Sequence, residues 1–257
     1  MASRPFALLI LLGVLPSVGA AYQTDNFVVE AASTSVAGQV ARAAEQQRKQ
    51  LAVRWLGEEL PNWPEPCTIE VHIAPGPVRG VSNFFFENGA VTGLSMRLDG
   101  PLDRLLQGCL PHEMTHIIFA DYFRRPVPRW ADEGGAVLSE DDKARRAHER
   151  ALPEILRAPG RAFSLRHLLR LSDYPEDLGA LYGQGYSVTH FLVESAGRKT
   201  FLAFVSQGMG GDWDQAARTH YHYKNVEEME RAWLKWQQDK SRPDPLKLPT
   251  VTRVAFP

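Results

Sequence analysis

The stretch CLPHEMTH, residues 109–116, constrains the fold more than any other, because its two histidines can act together only on a helix. At positions i and i+4, His112 and His116 leave one helical face about one turn apart. Glu113 is rotated about 100° from His112, close enough to reach a water held between the imidazoles but not the point they share. Two imidazoles with an offset carboxylate are the start of a catalytic zinc site, which takes three protein ligands and keeps one position open. The fold must therefore bring a third ligand back to this helix from elsewhere.

A third histidine shortly after a glycine is one solution, but Phe119 and Tyr122 stand at the places it would occupy. The other is a glutamate on a second helix. Residues 128–140 read PRWADEGGAVLSE, and Glu133 lies 17 positions after His116. Residues 117–123 can finish the first helix, 124–128 can turn the corner, and Trp130 can begin the next, which returns Glu133 to the imidazoles. Gly134 and Gly135 are poor helix formers, and their use here is to let two helices approach closely. Asp132 competes with Glu133 for the ligand role, but it points about 100° away on the same helix. Glu140, two turns beyond Glu133, either orients a ligand from behind or is a solvated carboxylate. A Cys109 thiolate, three residues before His112, is a further candidate that Glu133 makes unnecessary.

The remainder of the chain can support such a scaffold. With 257 residues and 44% hydrophobic content it can bury a core, as one large domain or two tightly joined lobes. FVVEA at 27–31 reads as a strand, and 33–56 carries a helical pattern with Val36, Val40, Ala43 and Ala44 on one face. After a proline-rich break at 61–66, CTIEVHIA alternates at period two. VSNFFFENGAVTGLSMRL reads as two strands around Asn88-Gly89, a strong hairpin signal. Gly100-Pro101 starts the helical stretch that leads into the histidines. Pro111 leaves the carbonyl four residues back without a donor, so a kink or helix start is predicted between Gly108 and Pro111. Beyond residue 124, helices are predicted at 165–171, 178–194, 199–207 and 226–238. Asn225 and Glu228 form a capping box at the start of the last one. The fold class is α+β.

Charge is balanced, with 29 basic and 30 acidic residues, and no basic stripe is interleaved with aromatics, so no nucleic-acid partner is expected. The N-terminus has Arg4, an apolar run over 6–18, and Val18-Gly19-Ala20, which together read as a secretory signal with cleavage after Ala20. The run is shorter than the roughly 20 residues needed to cross a bilayer, so no stable membrane span is expected after cleavage. An uncleaved anchor is the alternative. The mature protein is expected to be secreted or periplasmic. Export would allow Cys67 and Cys109 to pair, closing a loop of about 40 residues worth roughly 4 kcal/mol. Two buried thiols are the other possibility.

HEMTH followed by WADEGGA resembles the gluzincin zinc metallopeptidases, which include thermolysin and the aminopeptidase N type. The likeness is greatest to the bacterial, secreted peptidase MA-like domains. Trp130-x-x-Glu133-Gly134-x-Ala136 matches their third-ligand helix. Tyr182-x-Gln184-Gly185 is similar to the Tyr-x-Lys-Gly segment whose tyrosine steadies the oxyanion in the aminopeptidase branch. GRKTFLAFV and MERAWLKWQQ resemble the closing helices of such domains, so the likeness runs from about residue 26 to residue 238. It implies a zincin-like architecture, which agrees with the order read from the residues: a signal peptide at 1–20, an α/β lobe with a mixed sheet at 21–123, a helical lobe at 124–240, a proline-rich extended tail at 241–257, and the zinc site at the junction of the lobes. It further implies Zn2+ held by His112, His116 and Glu133, Glu113 as general base, and Tyr182 as oxyanion donor. Tyr186 and His190 follow Tyr182 at four-residue intervals, and each is either an alternative donor or packing.

The aminopeptidases carry Gly-x-Met-Glu-Asn on the strand before the zinc helix, whereas this chain reads GLSMRL, with Arg97 after Met96. The anchor for a substrate's free amine is missing, so internal cleavage of a peptide or protein is expected. The resemblance to zincins, which present an open sheet edge to the cleft before the zinc helix, implies that substrate adds as a strand to the edge ending in GLSMRL. The leading expectation is a secreted zinc endopeptidase. The alternatives are an amidase acting on cell-wall peptides and an exported binding or assembly protein that keeps the fold without turnover; an intact Glu113 argues against the latter. The other histidines are given structural or surface places: His72 in a strand, His148 and His167 facing solvent, and His220 and His222 in a loop.

Overall fold

In FVVEA, Phe27, Val29 and Ala31 are buried while Glu30 is exposed, and this period-two pattern seats the strand on a core through one face only. The computed structural model describes residues 19–241. The expected signal segment, apart from Gly19 and Ala20, and the expected tail, apart from Ser241, lie outside the described residues. Five strands form one mixed sheet: β1 (Ala20–Gln23), β2 (Phe27–Ala31), β3 (Cys67–Ile73), β4 (Arg79–Glu87) and β5 (Ala90–Gly100), in the order β1-β2-β3-β5-β4. β2, β3 and β5 run parallel, while β1 and β4 flank them antiparallel. β1, which the sequence pattern did not reveal, begins at Ala20, the residue after which cleavage is expected.

Helix α1 (Thr34–Leu56) connects β2 to β3 and buries Val40, Ala41, Ala44, Leu51 and Trp55. β4 and β5 form a hairpin whose turn residues, Asn88 and Gly89, have φ of 52° and 75°. Positive φ at both turn residues matches the twist of a tight hairpin and suits Asn-Gly. The strand order overturns one expectation. GLSMRL lies in β5, which is paired on both sides, and among the described residues the free edge on that side of the sheet belongs to β4.

After β5 the chain is helical. A short α2 (Leu102–Arg104) runs through a π turn (Leu105–Cys109) into α3 (Leu110–Phe123), then α4 (Arg129–Ser139), α5 (Asp142–Arg157), α6 (Leu165–Leu168), α7 (Leu178–Gly208), α8 (Trp213–Tyr221) and α9 (Val226–Ser241). α5 and α8 were not expected. α5 is so charged that it buries only Leu152 and Ile155. α7 is broken at Gly197 (φ 82°), the interval between the two helices expected there. The cap of α9 departs slightly from a capping box: Asn225 accepts from the Glu228 N–H at 2.9 Å, but Glu228 returns to the N–H of Lys224.

One apolar core runs through both the strand-containing and the helical part of the chain. The Trp55 ring lies 4.9 Å from Phe119 and 5.8 Å from Phe201, and Trp130 lies 5.9 Å from Phe201, linking α1, α3, α4 and α7. Each such pair adds about 0.5–1.5 kcal/mol to the burial of its rings. α3 passes through the middle of this core, with all but its last few residues largely buried. Cys67 and Cys109 are both buried, free thiols, so the permitted disulfide is not formed, and burial pushes the Cys67 thiol up to about 12. Among the described residues no helix is long and apolar enough to cross a membrane.

Candidate metal centre

The irregularity expected before the histidines is the π turn. The Leu110 N–H bonds the Leu105 carbonyl at the wider π spacing, and Pro111, which has no N–H to give, follows at once in the first turn of α3. From there the helix is regular, and the His112 and His116 rings stand 4.9 Å apart. α4 arrives with Glu133 in its second turn. Gly135 lies against Phe119 of α3, and a Cβ there would come within 2.4 Å of that ring. Gly134 lies against α7, where a Cβ would meet Thr189 Oγ1 at 2.3 Å and the Gly185 carbonyl at 2.4 Å. The two glycines therefore serve two different helix contacts and together fix the depth of α4.

His112, His116 and Glu133 each offer a ligand atom, and these atoms lie within 4.8 Å of one another, so the three could hold a metal ion. Both Nε2 atoms face the same carboxylate oxygen, Glu133 Oε2, at 3.4 Å from His112 and 3.8 Å from His116. That oxygen is buried and has no hydrogen-bond partner among the described residues. An orphaned buried carboxylate oxygen is costly, and a cation between it and the two imidazoles removes the cost. Two imidazoles and a carboxylate are a donor set suited to zinc.

The opposite side of each group is occupied. His112 Nδ1 lies 2.6 Å from Glu140 Oε1, and His116 Nδ1 lies 2.7 Å from Asp132 Oδ1. A proton on each Nδ1 shared with its carboxylate leaves each Nε2 to face Glu133. Glu133 Oε1 accepts a hydrogen bond from the Tyr174 hydroxyl at 2.6 Å. Asp132 is thus a partner of His116 rather than a competitor of Glu133, and Glu140 is a partner of His112 rather than a solvated acid.

Electrostatically the cluster calls for positive charge. Burial alone would push the His112 imidazolium down, but Glu133 and Glu140 outweigh it and hold it up at about 10. His116 is also raised, burial being outweighed by Asp132 and Glu133. Burial would raise Glu133, but His112, His116 and Tyr174 hold it down at about 2. Without a metal, protons on the imidazoles meet this demand, so metal binding has to displace them.

Glu113 is buried beside the ligands, and Ser82 Oγ on β4 donates to its Oε2 at 3.0 Å. β4 comes this close because residue 80 is glycine: a Cβ there would lie 2.4 Å from Glu113 Oε1 and 2.5 Å from Cys109 Sγ. Tyr182 stacks over His112 with ring centroids 6.5 Å apart, and burial beside Glu133 pushes its phenol up, keeping it a proton donor. Tyr182, Tyr174, Glu113, Ser82 and the three candidate ligands line a common cavity of about 130 Å³.

The structure moves Tyr186 and His190 away from this cavity. The Tyr186 hydroxyl donates to Glu149 at 2.8 Å, and His190 pairs with Glu194 at 3.5 Å, so both alternative donor assignments are withdrawn. His148 does not face solvent as expected: its half-buried ring stacks on Tyr182 at 6.1 Å. Tyr174 and Ser82 escaped the sequence reading because both reach the centre from segments distant in the chain. The position of Asp132, one residue before Glu133 in an acidic helix start, was the signal available for its role.

No protein-family model matches the chain, and no curated protein matches it. Among solved structures it is similar to an M1 zinc metallopeptidase from Deinococcus radiodurans, at 18% identity and a TM-score of 0.42, over 90% of this chain and 53% of that one. It is also similar to a mutant M1 zinc metallopeptidase from the same organism bound to a Tyr-Ser-Ala substrate, at 18% identity and a TM-score of 0.40, with the same coverage. This chain spans about half the length of the solved structures it matches (53%).

Proposed function

We propose that this chain is an exported zinc-dependent peptidase that cleaves peptides internally. The observation that carries the reading is the orphaned Glu133 Oε2, faced by both imidazole Nε2 atoms and flanked by the Glu113 carboxylate. His112, His116 and Glu133 would hold the ion. When bound, zinc supplies Lewis acidity toward a peptide carbonyl and brings the pKa of water near neutrality. Glu113 is the general base: it would take the proton from the attacking water and return it to the leaving amine, while Ser82 holds its Oε2. Tyr182, whose phenol is pushed up by burial beside Glu133, would donate to the oxyanion as it develops, a contact of the kind worth about 3 kcal/mol.

The free edge of β4 passes alongside this cavity through Gly80, Val81, Ser82 and Phe84, and its backbone groups can pair with an extended peptide. The residue after Met96 on β5 is Arg97, not the glutamate of the aminopeptidase segment, so the amine anchor of that branch is missing. That favours internal cleavage over removal of N-terminal residues.

The test is zinc-loaded wild type beside Glu113→Gln on a peptide library, with free and acetylated N-termini and products read by mass spectrometry. Wild type should cut inside both sets, and Glu113→Gln should bind zinc yet lose at least a hundredfold in rate. Stoichiometric zinc without hydrolysis by wild type would instead support a binding or assembly protein. Cleavage confined to free amines, one residue at a time, would make it an aminopeptidase. Export predicts a mature N-terminus at Ala21, readable by N-terminal sequencing.

A further inference from the structure

Arg129, the first residue of α4, is a cation beside the metal cavity with no part in the chemistry above. Its guanidinium lies over the Tyr174 ring, 4.3 Å from the centroid. The acceptors it meets, the Tyr174 hydroxyl at 3.5 Å and Asp132 Oδ2 at 3.7 Å, both face Nη1. Its Nε–H is buried without a partner. A guanidinium carries five N–H donors in a rigid fork, so this one is held in place by stacking while most of its donors are left unspent. The side chain is still 34% exposed.

Arg129 also lines a second, larger cavity of about 580 Å³ that adjoins the first through Ser82, Phe84, His116 and Asp132. Its walls are aromatic and apolar along Phe84, Phe86 and Val127. The rings of Phe84 and Phe86 stand 5.6 Å apart on the inward-facing side of the edge strand. An extended peptide paired with β4 would lay a side chain into this space, with methylenes against the rings and its end toward Arg129. Arg129 lines both cavities and has donors to spare, so it is placed to meet such a side chain.

We propose that Arg129 determines specificity by binding a carboxylate of the peptide, carried on an acidic side chain close to the cleaved bond; this rests on the peptidase reading. A carboxylate is the acceptor that matches a guanidinium fork in shape and charge. The stack on Tyr174 removes much of the entropy cost of holding the fork in place.

The experiment compares peptides that differ only by Glu, Gln or Lys at each of the positions flanking the cleaved bond, with free or amidated C-termini. Two readouts are taken: kcat/KM with zinc-loaded wild type, Arg129→Gln and Arg129→Lys, and calorimetric binding to Glu113→Gln with and without Arg129→Gln. Wild type should favour Glu over Gln at least tenfold at one position, in rate and in binding. Arg129→Gln should erase that ratio, and Arg129→Lys should keep part of it. Because the ratio is taken within each variant, it is insensitive to loss of folded or zinc-loaded protein through the contact with Asp132. Equal handling of Glu and Gln together with loss of cleavage on amidation assigns the carboxylate to the peptide terminus and overturns the side-chain proposal. Equal handling of Glu and Gln by wild type, or a Glu preference that survives in Arg129→Gln, overturns the proposal. If no peptide is cleaved but the Glu preference persists in binding, the hydrolytic reading fails and the role of Arg129 stands.

Discussion

His116 Nδ1 and Asp132 Oδ1 lie 2.7 Å apart, so the helix that delivers Glu133 also fixes the orientation of a histidine on its neighbour. His112 and Glu140 repeat the relationship at 2.6 Å. Outer carboxylates of this kind typically contribute 10- to 100-fold in metal affinity. Asp132→Ala and Glu140→Ala should each weaken zinc binding by about that factor while leaving the fold intact, as measured by chelator competition and circular dichroism. Affinities equal to wild type would show that the two carboxylates are incidental.

Ser82 ties the base to the strand along which a peptide would dock. Ser82→Ala removes the donor to Glu113 and should lower kcat about tenfold, the worth of one hydrogen bond to a charged group. KM and zinc affinity should barely change. A rise in KM at constant kcat would mean that Ser82 serves binding and not the base.

The two tyrosines at the centre should separate cleanly. Tyr182→Phe should cost on the order of a hundredfold in kcat with little effect on zinc, as expected for loss of an oxyanion donor. Tyr174→Phe removes the hydrogen bond to Glu133 Oε1 and should act first on zinc affinity. Steady-state kinetics and metal titration of both variants decide the assignment, and the reverse pattern would exchange their roles.

Gly134→Ala would place a methyl group 2.3 Å from Thr189 Oγ1 and 2.4 Å from the Gly185 carbonyl. Backbone on one side leaves little room to yield, so α4 must shift away from α7, at a cost of about 1–3 kcal/mol. Glu133 would move with it. Both the midpoint of urea unfolding and zinc affinity should fall; an unchanged affinity would show that α4 relaxes without moving its ligand.

The metal-free protein should respond to pH in two directions. His112 is raised from an ordinary 6.5 to about 10, so its contribution to stability is fully present below about pH 6.5 and lost as pH rises through 10. Glu133 is lowered from 4.5 to about 2, so its contribution is present above about pH 4.5 and lost as pH falls through 2. Zinc replaces the imidazole protons, so the gap in Tm between loaded and metal-free protein should widen from pH 6.5 to pH 10. A gap that is flat over that range would contradict the electrostatics of the centre.

Local periodicity made much of this protein legible before any coordinates. The i, i+4 spacing of His112 and His116, the Asn88-Gly89 hairpin, the break near Pro111 and the helical start at Trp130 all depend on backbone geometry within a few residues. The α+β class followed from the order of such patterns. Helix α5 escaped although Leu152, Ile155 and Leu156 repeat at helical spacing, because Pro153 within it reads as a helix break, and β1 because four residues are too few to show a period.

What the sequence could not supply is what arises when distant segments meet. The likeness to zincins put GLSMRL at the open sheet edge, but strand order is a property of the whole sheet, and β4 folds back to take that edge. Tyr186 and His190 share a helical face with Tyr182 in sequence, yet a four-residue step advances about 6 Å along the axis, enough to carry them out of the cavity. Ser82 on Glu113 and Tyr174 on Glu133 join residues 31 and 41 positions apart. No local pattern encodes such contacts, because they form only when packing of the shared core sets the distance between elements. The sequence determined which groups can bind a metal and on which helices they ride; the tertiary structure decided what stands behind each one and which strand lies alongside.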